Sequence, residues 1–342
     1  MRDFFNLTKD QEEHAKSVYE KSAVIDCSNV AKLDSAYFQR RIKAGVTVEN
    51  ITVPMPGDHF AESVYTLLQH TDWVKRNSKT GALILRKSDI IQTKQEGKAG
   101  VIFGPQNANF LEGKLDLLQI IYDLGVRIIQ LTYNERNLIG DGCTERTDSG
   151  LSNFGIAVVK EMNRIGAVID LSHSGPATFM DAVKYSEDPV ICTHANCKAL
   201  NPNVRNKSDE QIAALAEKGG VMCVASYSPL CETKIQVRPT IIDFLSHLEH
   251  IIELVGIDHV GIGLDLDDTL TKESHEEWAS AYPSIAAGIY FGMESLFAGG
   301  LDSLELFPSI ARGLTWKGYS DAEIVKVLGG NVMRILERVW GE

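Results

Sequence analysis

The segment Val158–Gly175, VVKEMNRIGAVIDLSHSG, joins an amphipathic pattern to a short apolar run that ends just before a histidine. Val159 and Met162 are spaced to lie on one face of a helix, and Gly166 is suited to end that helix. The run AVIDLS lacks strict polar alternation, which is typical of a parallel strand buried on both faces. The segment therefore predicts a helix followed by a buried strand, with His173 directly after the strand.

The same strand–helix unit recurs along the chain. Eight short apolar runs, with helical patterns between them, lie at Ala23–Cys27, Val48–Val53, Ala99–Gly104, Val126–Thr132, Ala167–Ser172, Pro189–Thr193, Gly220–Ala225 and His259–Leu264. Eight such units in one chain are typical of a (β/α)8 barrel. A doubly wound sheet is the main alternative, but no GxGxxG or GxxxxGK[ST] motif follows the first run to support it. We therefore predict an α/β fold, a (β/α)8 TIM barrel.

The length of 342 residues by itself suggests about two domains. No linker or low-complexity stretch marks a boundary, however, and α/β barrels of this size often form one domain. We predict a single domain over residues 1–342, with the barrel at about 23–300 and a C-terminal helical tail at about 301–342. In the tail, Gly329 and Gly330 are expected to interrupt the helical pattern before a last helix at Asn331–Trp340.

The charge balance argues against nucleic acid and anionic membranes as partners. The chain has 34 Lys and Arg against 46 Asp and Glu, a net charge of −12, whereas phosphate binding needs a basic surface. No window approaches about 18 uninterrupted apolar residues, and Met1–Ser22 shows no signal peptide, so neither membrane insertion nor secretion is expected. Six cysteines without a CxxC pair favour neither a disulfide framework nor a zinc ribbon. These features predict a reducing, cytoplasmic setting.

Polar side chains follow most of the predicted strands, where a barrel builds its chemistry. His173 and His194 end consecutive strands, which lie about 4.8 Å apart in a parallel sheet, so the imidazoles can converge on one ion or substrate group. The alternative is that both hydrogen-bond loop backbone. Asp265 follows the eighth strand and can act as a base, or else serve as a turn carboxylate. The expected site also includes the strand-end residues Gln106, Tyr133 and Asn134.

The sequence resembles the membrane (renal) dipeptidase family, the M19-type metallopeptidases of the amidohydrolase superfamily. The resemblance runs from about Ile25 to Trp340, and it is carried by GLSNFG (Gly150–Gly155), VVKEMNRIGAVIDLSHSG (Val158–Gly175), PVICTHANC (Pro189–Cys197), Arg205–Asn206 followed by Asp209, HVGIGLDLD (His259–Asp267) and GYSDAEIVKVLGGNVMRIL (Gly318–Leu336). The family fold is a (β/α)8 barrel, in agreement with the strand count. The resemblance also implies a dipeptide hydrolase that holds two zinc ions and forms a homodimer.

Four residues match the family pattern, and the resemblance implies a role for each. In the family, histidines after the fifth and sixth strands bind one zinc ion; His173 and His194 stand at these positions. An arginine after the sixth strand binds the peptide carboxylate, which implies this role for Arg205. An aspartate after the eighth strand handles water and the proton, which implies this role for Asp265.

Other positions depart from the family pattern. Where an HxD motif binds the first zinc ion, this chain has Ser28 and Val30, and where a glutamate bridges both ions, it has Gln106. Tyr133 replaces a substrate-contacting histidine after the fourth strand. Serine and valine cannot replace imidazole and carboxylate as zinc ligands, and glutamine is a poor ligand. A two-zinc site is therefore not expected, and the prediction is one zinc ion on the two histidines, or none.

The predicted function is hydrolysis of a small amide or dipeptide-like substrate whose carboxylate is held by Arg205. Asp265 would accept the proton, Tyr133 would donate to the oxyanion, and Gln106 and Asn134 would contact the substrate. Two other classes stay open on the same scaffold: a metal-independent lyase or isomerase, and a non-catalytic protein that binds a small molecule.

Overall fold

A computed structural model describes residues 4–30, 32–34, 36–235, 237–267, 270–286 and 293–341. Among these residues, nine strands lie at β1 (Ile25–Asn29), β2 (Val48–Ile51), β3 (Gly81–Leu83), β4 (Ala99–Phe103), β5 (Ile128–Gln130), β6 (Val168–Asp170), β7 (Ile191–Cys192), β8 (Val221–Val224) and β9 (Val260–Ile262). Seven of the eight predicted apolar runs contain one of them, and the run Ala23–Cys27 overlaps β1, which continues to Asn29. The additional strand is β3, which the sequence pattern did not predict.

The strands form two parallel sheets, in the orders β1-β2-β4-β3 and β5-β6-β7-β8-β9. Val48 in β2 pairs with Ile25 on one side and with Gly100 on the other, so β2 is interior to the first sheet. The short strand β3 pairs with β4 from Gly81 to Leu83. Its sequence, Gly-Ala-Leu, has no β-branched or aromatic residue, which explains why no strand is predicted there.

Single parallel bridges connect the two sheets at both of their seams, Phe103 to Val126 and Asn29 to Leu266. At the second seam the Asp265 N–H also donates to the Ser28 carbonyl at 3.0 Å. The eight predicted strands therefore follow one another around a (β/α)8 barrel whose two seams are held by isolated bridges. This arrangement confirms the predicted fold class, and it brings the end of β1 beside the end of β9.

The described helices are α1 (Lys9–Lys21), α2 (Tyr37–Ala44), α3 (Phe60–Arg76), α4 (Lys87–Gln95), α5 (Leu117–Asp123), α6 (Asn153–Ile165), α7 (Pro176–Tyr185), α8 (Asp209–Glu217), α9 (Ser228–Cys231), α10 (Ile241–Val255), α11 (Lys272–Ala281), α12 (Pro283–Ala286), α13 (Ser309–Lys317), α14 (Asp321–Val325) and α15 (Asn331–Trp340). The helix expected from the opening segment is α6, and Gly166 ends it in the left-handed conformation at φ 78°. Within the described ranges, no helix is both long and apolar enough to cross a bilayer.

The C-terminal tail closes the N-terminal end of the barrel. The last helix, α15, occupies the range predicted for it, and Gly329 lies outside helical geometry just before it. Val332, Ile335 and Leu336 of α15 pack in one buried cluster with side chains of the inner strands. The Asn331 amide donates to the carbonyls of residues 257 and 260, at the start of β9. The tail therefore packs against the barrel at the end opposite to the predicted site.

Candidate active site

A cavity of about 520 Å³ opens at the C-terminal ends of the strands, within the size range of small-molecule sites. Five of the predicted site residues line it: Gln106, Tyr133, His173, Arg205 and Asp265. The other two, Asn134 and His194, are fully buried and connect to the cavity through hydrogen bonds to His173. The fold thus brings all seven predicted residues to one place.

The two histidines contact each other directly. Their Nε2 atoms lie 2.9 Å apart, so one ring donates a hydrogen bond and the other accepts it. His173 Nδ1 lies 2.6 Å from Asn134 Oδ1, and His194 Nδ1 lies 2.8 Å from Thr193 Oγ1. Burial, together with the charge of Arg205, lowers the pKa of both imidazoles well below its ordinary value. Both rings are therefore neutral at pH 7.

Arg205 is almost completely buried beside this pair, with 2% of its surface exposed. Its guanidinium donates to the backbone carbonyls of Ser172 and His194, the second at 3.0 Å. These two bonds fix the guanidinium plane and use two of its five N–H groups. Lys207 lies nearby and donates to the Ser174 carbonyl at 3.0 Å, and burial lowers its pKa to about 8. This side of the cavity is therefore electropositive and suited to a carboxylate.

Asp265 lies on the cavity wall, at the seam between β9 and β1. Its backbone is left-handed, with φ at 58°, which is uncommon for a residue other than glycine. Ser28 Oγ donates to Asp265 Oδ1 at 2.9 Å, and Gln106 Nε2 lies 3.4 Å from Ser28 Oγ and 3.0 Å from Thr52 Oγ1. Burial raises the pKa of Asp265 to about 6, while Arg205 and the Ser28 hydroxyl act in the opposite direction.

Tyr133 lines the same cavity. The Trp278 indole Nε1–H donates to this hydroxyl at 2.9 Å, so the oxygen is held while its own proton can be donated elsewhere. The Tyr133 ring stacks on the His173 ring, with centroids 4.3 Å apart. Burial raises the pKa of the phenol, which keeps it neutral at pH 7.

The residues present do not fit the two-zinc centre that the family resemblance implies. In the described part of the chain, no group of three or more His, Cys, Asp or Glu side chains is arranged to bind a metal ion. Ser28 and Gln106 stand where ligands are expected, and Ser28 accepts a hydrogen bond from Gln106 and donates one to Asp265. The two histidines supply two imidazoles, one fewer than the three protein ligands usual in catalytic zinc sites.

Sequence patterns missed the side chains that α11 and its neighbours contribute. Ser274, His275 and Trp278 of α11 line the cavity, as do Tyr282 and Ile285 just after it. His275, Trp278 and Tyr282 are spaced by three and four residues, which places them on one helix face. This spacing was the available signal, but the segment is otherwise polar, and the sequence pattern predicts no element there.

Comparisons with known proteins agree with this fold. A family model described as membrane dipeptidase (peptidase family M19) matches residues 31–292. Dipeptidase verJ of Clonostachys rogersoniana is 28% identical over 332 residues, which cover 92% of this chain and 78% of that protein. Dipeptidase tcpJ of Claviceps purpurea is 29% identical over 256 residues, which cover 74% of this chain and 54% of that protein. The crystal structure of an amidohydrolase from Pseudomonas aeruginosa superposes with a TM-score of 0.88 at 32% identity, covering 96% of this chain and 99% of that one.

Proposed function

This chain belongs to the membrane dipeptidase family, peptidase family M19, and from that premise we propose that it hydrolyses a small dipeptide-like amide with a free carboxylate, using at most one zinc ion. One observation carries the proposal: Arg205, Asp265 and Tyr133 line a single cavity of about 520 Å³. These three groups are an anion binder, a proton acceptor and a neutral hydrogen-bond donor. Hydrolysis of an amide uses the proton acceptor and the hydrogen-bond donor, and the anion binder can hold the carboxylate of a dipeptide-like substrate.

Arg205 binds the substrate carboxylate in this proposal. A guanidinium can hold a carboxylate through two parallel N–H bonds, and the two backbone carbonyls that already bind Arg205 restrict its orientation. Because the group is buried, its interaction with a bound anion is screened less than at the surface. The substrate would thus be fixed at one end before the reaction.

Asp265 and Tyr133 would carry out the chemical steps. Asp265, ionised above about pH 6, accepts a proton from water while the water oxygen attacks the carbonyl carbon. The Tyr133 hydroxyl donates a hydrogen bond to the oxyanion that develops, because its oxygen already accepts from Trp278. The protonated Asp265 then returns the proton to the leaving amine as the C–N bond breaks. The neutral His173 supports Tyr133 through the stacked rings.

Product release from defined dipeptides tests this proposal. The purified chain is incubated with Leu-Leu and Gly-Leu, and the released amino acids are quantified. Asp265→Asn is expected to lower kcat by 100-fold or more, since it removes the base. Arg205→Met should raise KM at least tenfold for Gly-Leu, with little change for its C-terminal amide.

The control for Arg205 is Arg76→Met, because Arg76 is an exposed residue on α3. It should leave both constants unchanged. Failure of the wild-type chain to release any amino acid would reject hydrolysis of these dipeptides and favour one of the alternatives. A lyase or isomerase would convert a carboxylate substrate without adding water, whereas a binding protein would show affinity without turnover.

A further inference from the structure

We propose that this hydrolase selects substrates with a large apolar side chain, preferably an aromatic ring, which packs against an aromatic wall of the cavity. The aromatic wall is defined here as Tyr227, Trp278, Tyr282 and Phe297, all of which line the cavity. The inference rests on the proposed function, because it names the substrate class of the same site. It uses residues to which the proposed catalytic steps give no role, apart from the indole N–H of Trp278.

Each ring of the aromatic wall contacts the next one in space. Tyr227 and Trp278 have centroids 6.0 Å apart with planes at 85°, and Tyr227 and Phe297 have centroids 6.2 Å apart at 60°. Trp278 and Tyr282 follow at 5.7 Å and 51°. These tilted and edge-to-face arrangements are the favoured geometries of aromatic pairs. The wall is therefore a continuous packed surface, which a further ring can extend.

Two of the wall's polar atoms are paired with neighbouring side chains. The Trp278 indole N–H donates to Tyr133, and the Tyr227 hydroxyl lies 3.4 Å from His275 Nε2. Phe297 has no polar side-chain atom. What these residues offer to a ligand is consequently mostly ring carbon, and an apolar group can bind there without leaving a buried polar atom unpaired.

The surroundings extend the apolar surface. Leu230, Leu270 and Ile285 line the cavity together with the aromatic wall. Asp267 and Glu135 also line it, which makes a cationic side chain the competing ligand. Glu135 is exposed to solvent, so its attraction for a cation is screened. The expected ligand is therefore an uncharged apolar side chain, and dipeptides with a cationic side chain are included in the test as the alternative.

Substrate selectivity of the full chain tests the proposal. We would compare kcat/KM for Phe-Gly, Gly-Phe, Gly-Gly, Lys-Gly and Gly-Lys. Burial of a benzyl group should make one of the phenylalanine dipeptides at least tenfold better than Gly-Gly and than either lysine dipeptide. Equal values for Gly-Gly and both phenylalanine dipeptides, or a preference for lysine, would overturn the inference while leaving hydrolysis intact.

Variants of Trp278 test whether the aromatic wall causes this substrate selectivity. Trp278→Ala should reduce the phenylalanine-to-glycine ratio to below threefold. Trp278→Phe keeps a ring but removes the N–H bond to Tyr133, so it should keep the ratio while kcat falls for every dipeptide. Trp316→Ala is the matched control, because Trp316 lies on α13 and is 41% exposed. An unchanged ratio in a folded Trp278→Ala variant would contradict the proposal, and the wild-type ratio tests it even if that variant does not fold.

A binding measurement separates this inference from the proposed function. The Asp265→Asn variant is titrated calorimetrically with N-acetyl-L-phenylalanine and with N-acetylglycine, which share an amide and a carboxylate. We expect the first to bind at least tenfold more tightly. If no dipeptide is cleaved but this difference persists, the hydrolase proposal fails and the apolar preference stands. Equal affinities reject the preference.

Discussion

Asp265 combines two unfavourable features in one residue. Its backbone occupies the left-handed region at φ 58°, and burial holds its pKa at about 6. Asn134, which bonds His173, is also left-handed, at φ 57°. Such conformations cost of order 1–3 kcal/mol each and persist where the surrounding structure imposes them. Because Asp265 lines the cavity, its conformation supports a functional rather than a structural origin.

The raised pKa of Asp265 predicts the acid limb of the activity profile. The base must be ionised, so kcat/KM should fall tenfold per pH unit below about pH 6. The folded carboxyl binds its proton more tightly than the unfolded one, so its contribution to folding is most favourable below about pH 4 and is lost as the pH rises through 6. Asp265→Asn should therefore lower kcat by at least 100-fold yet make the protein more stable at pH 7, by on the order of 2 kcal/mol.

Urea denaturation at pH 4 and pH 7 checks the stability part of this prediction. The stability gain of Asp265→Asn should be large at pH 7 and small at pH 4, because the wild-type carboxyl is protonated at the lower pH. Asp267→Asn provides the comparison, since Asp267 lies two residues away and also lines the cavity. A variant that is less stable than wild type at pH 7 would contradict the raised pKa.

Among the elements, the interior strands and the tail helix were predictable because burial leaves an apolar pattern. The eight predicted runs and α15 are all present. The missed elements have weak patterns for physical reasons. β3 is only three residues long. α11 carries its charged residues outside the face that lines the cavity, and its sequence lacks the apolar pattern that predicts a buried helix.

The junction before α15 yields a prediction at the scale of one element. A Cβ atom at Gly329 would lie 2.2 Å from the Ala23 carbonyl oxygen, a backbone atom at the entry to β1. Gly329→Ala should therefore destabilise the protein by about 2 kcal/mol or more, since the backbone must shift. At Gly330 the corresponding atom would be 3.2 Å from the nearest carbonyl oxygen, and the backbone is helical at φ −58°.

Gly330→Ala is consequently the matched control for this junction, and it should change stability by no more than about 0.5 kcal/mol. Chemical denaturation of both variants measures the difference. Both should keep the wild-type KM, because the junction lies at the end of the barrel opposite to the cavity. Equal stabilities for the two variants would show that the junction before α15 is not tightly packed against the start of β1.

At the scale of the whole molecule, the barrel explains why seven residues that are distant in sequence could be predicted as one site. The rule that chemistry collects at the C-terminal strand ends, together with the family resemblance, was sufficient to name them. It could not predict the contacts between them. That Ser28 would bind Asp265, or that His173 would bind His194, depends on side-chain directions set by packing across both sheets.

The arrangement of strand ends around the barrel predicts how a two-zinc centre could be introduced. Ser28 and Gln106 lie within 3.4 Å of each other, and Val30, Gln106 and His173 line one cavity. The wild-type chain, expressed with zinc and then dialysed, should hold at most one zinc ion when measured by elemental analysis. The triple variant S28H/V30D/Q106E supplies the imidazole and two carboxylates that the family pattern places there, and it should hold two zinc ions.

The control variant S28A/V30A/Q106A changes the same three positions without adding metal ligands, and it should not hold more zinc than the wild type. Two ions in the wild-type chain would overturn the limit of one zinc ion, and no gain in the triple variant would show that these strand ends do not converge on a common metal.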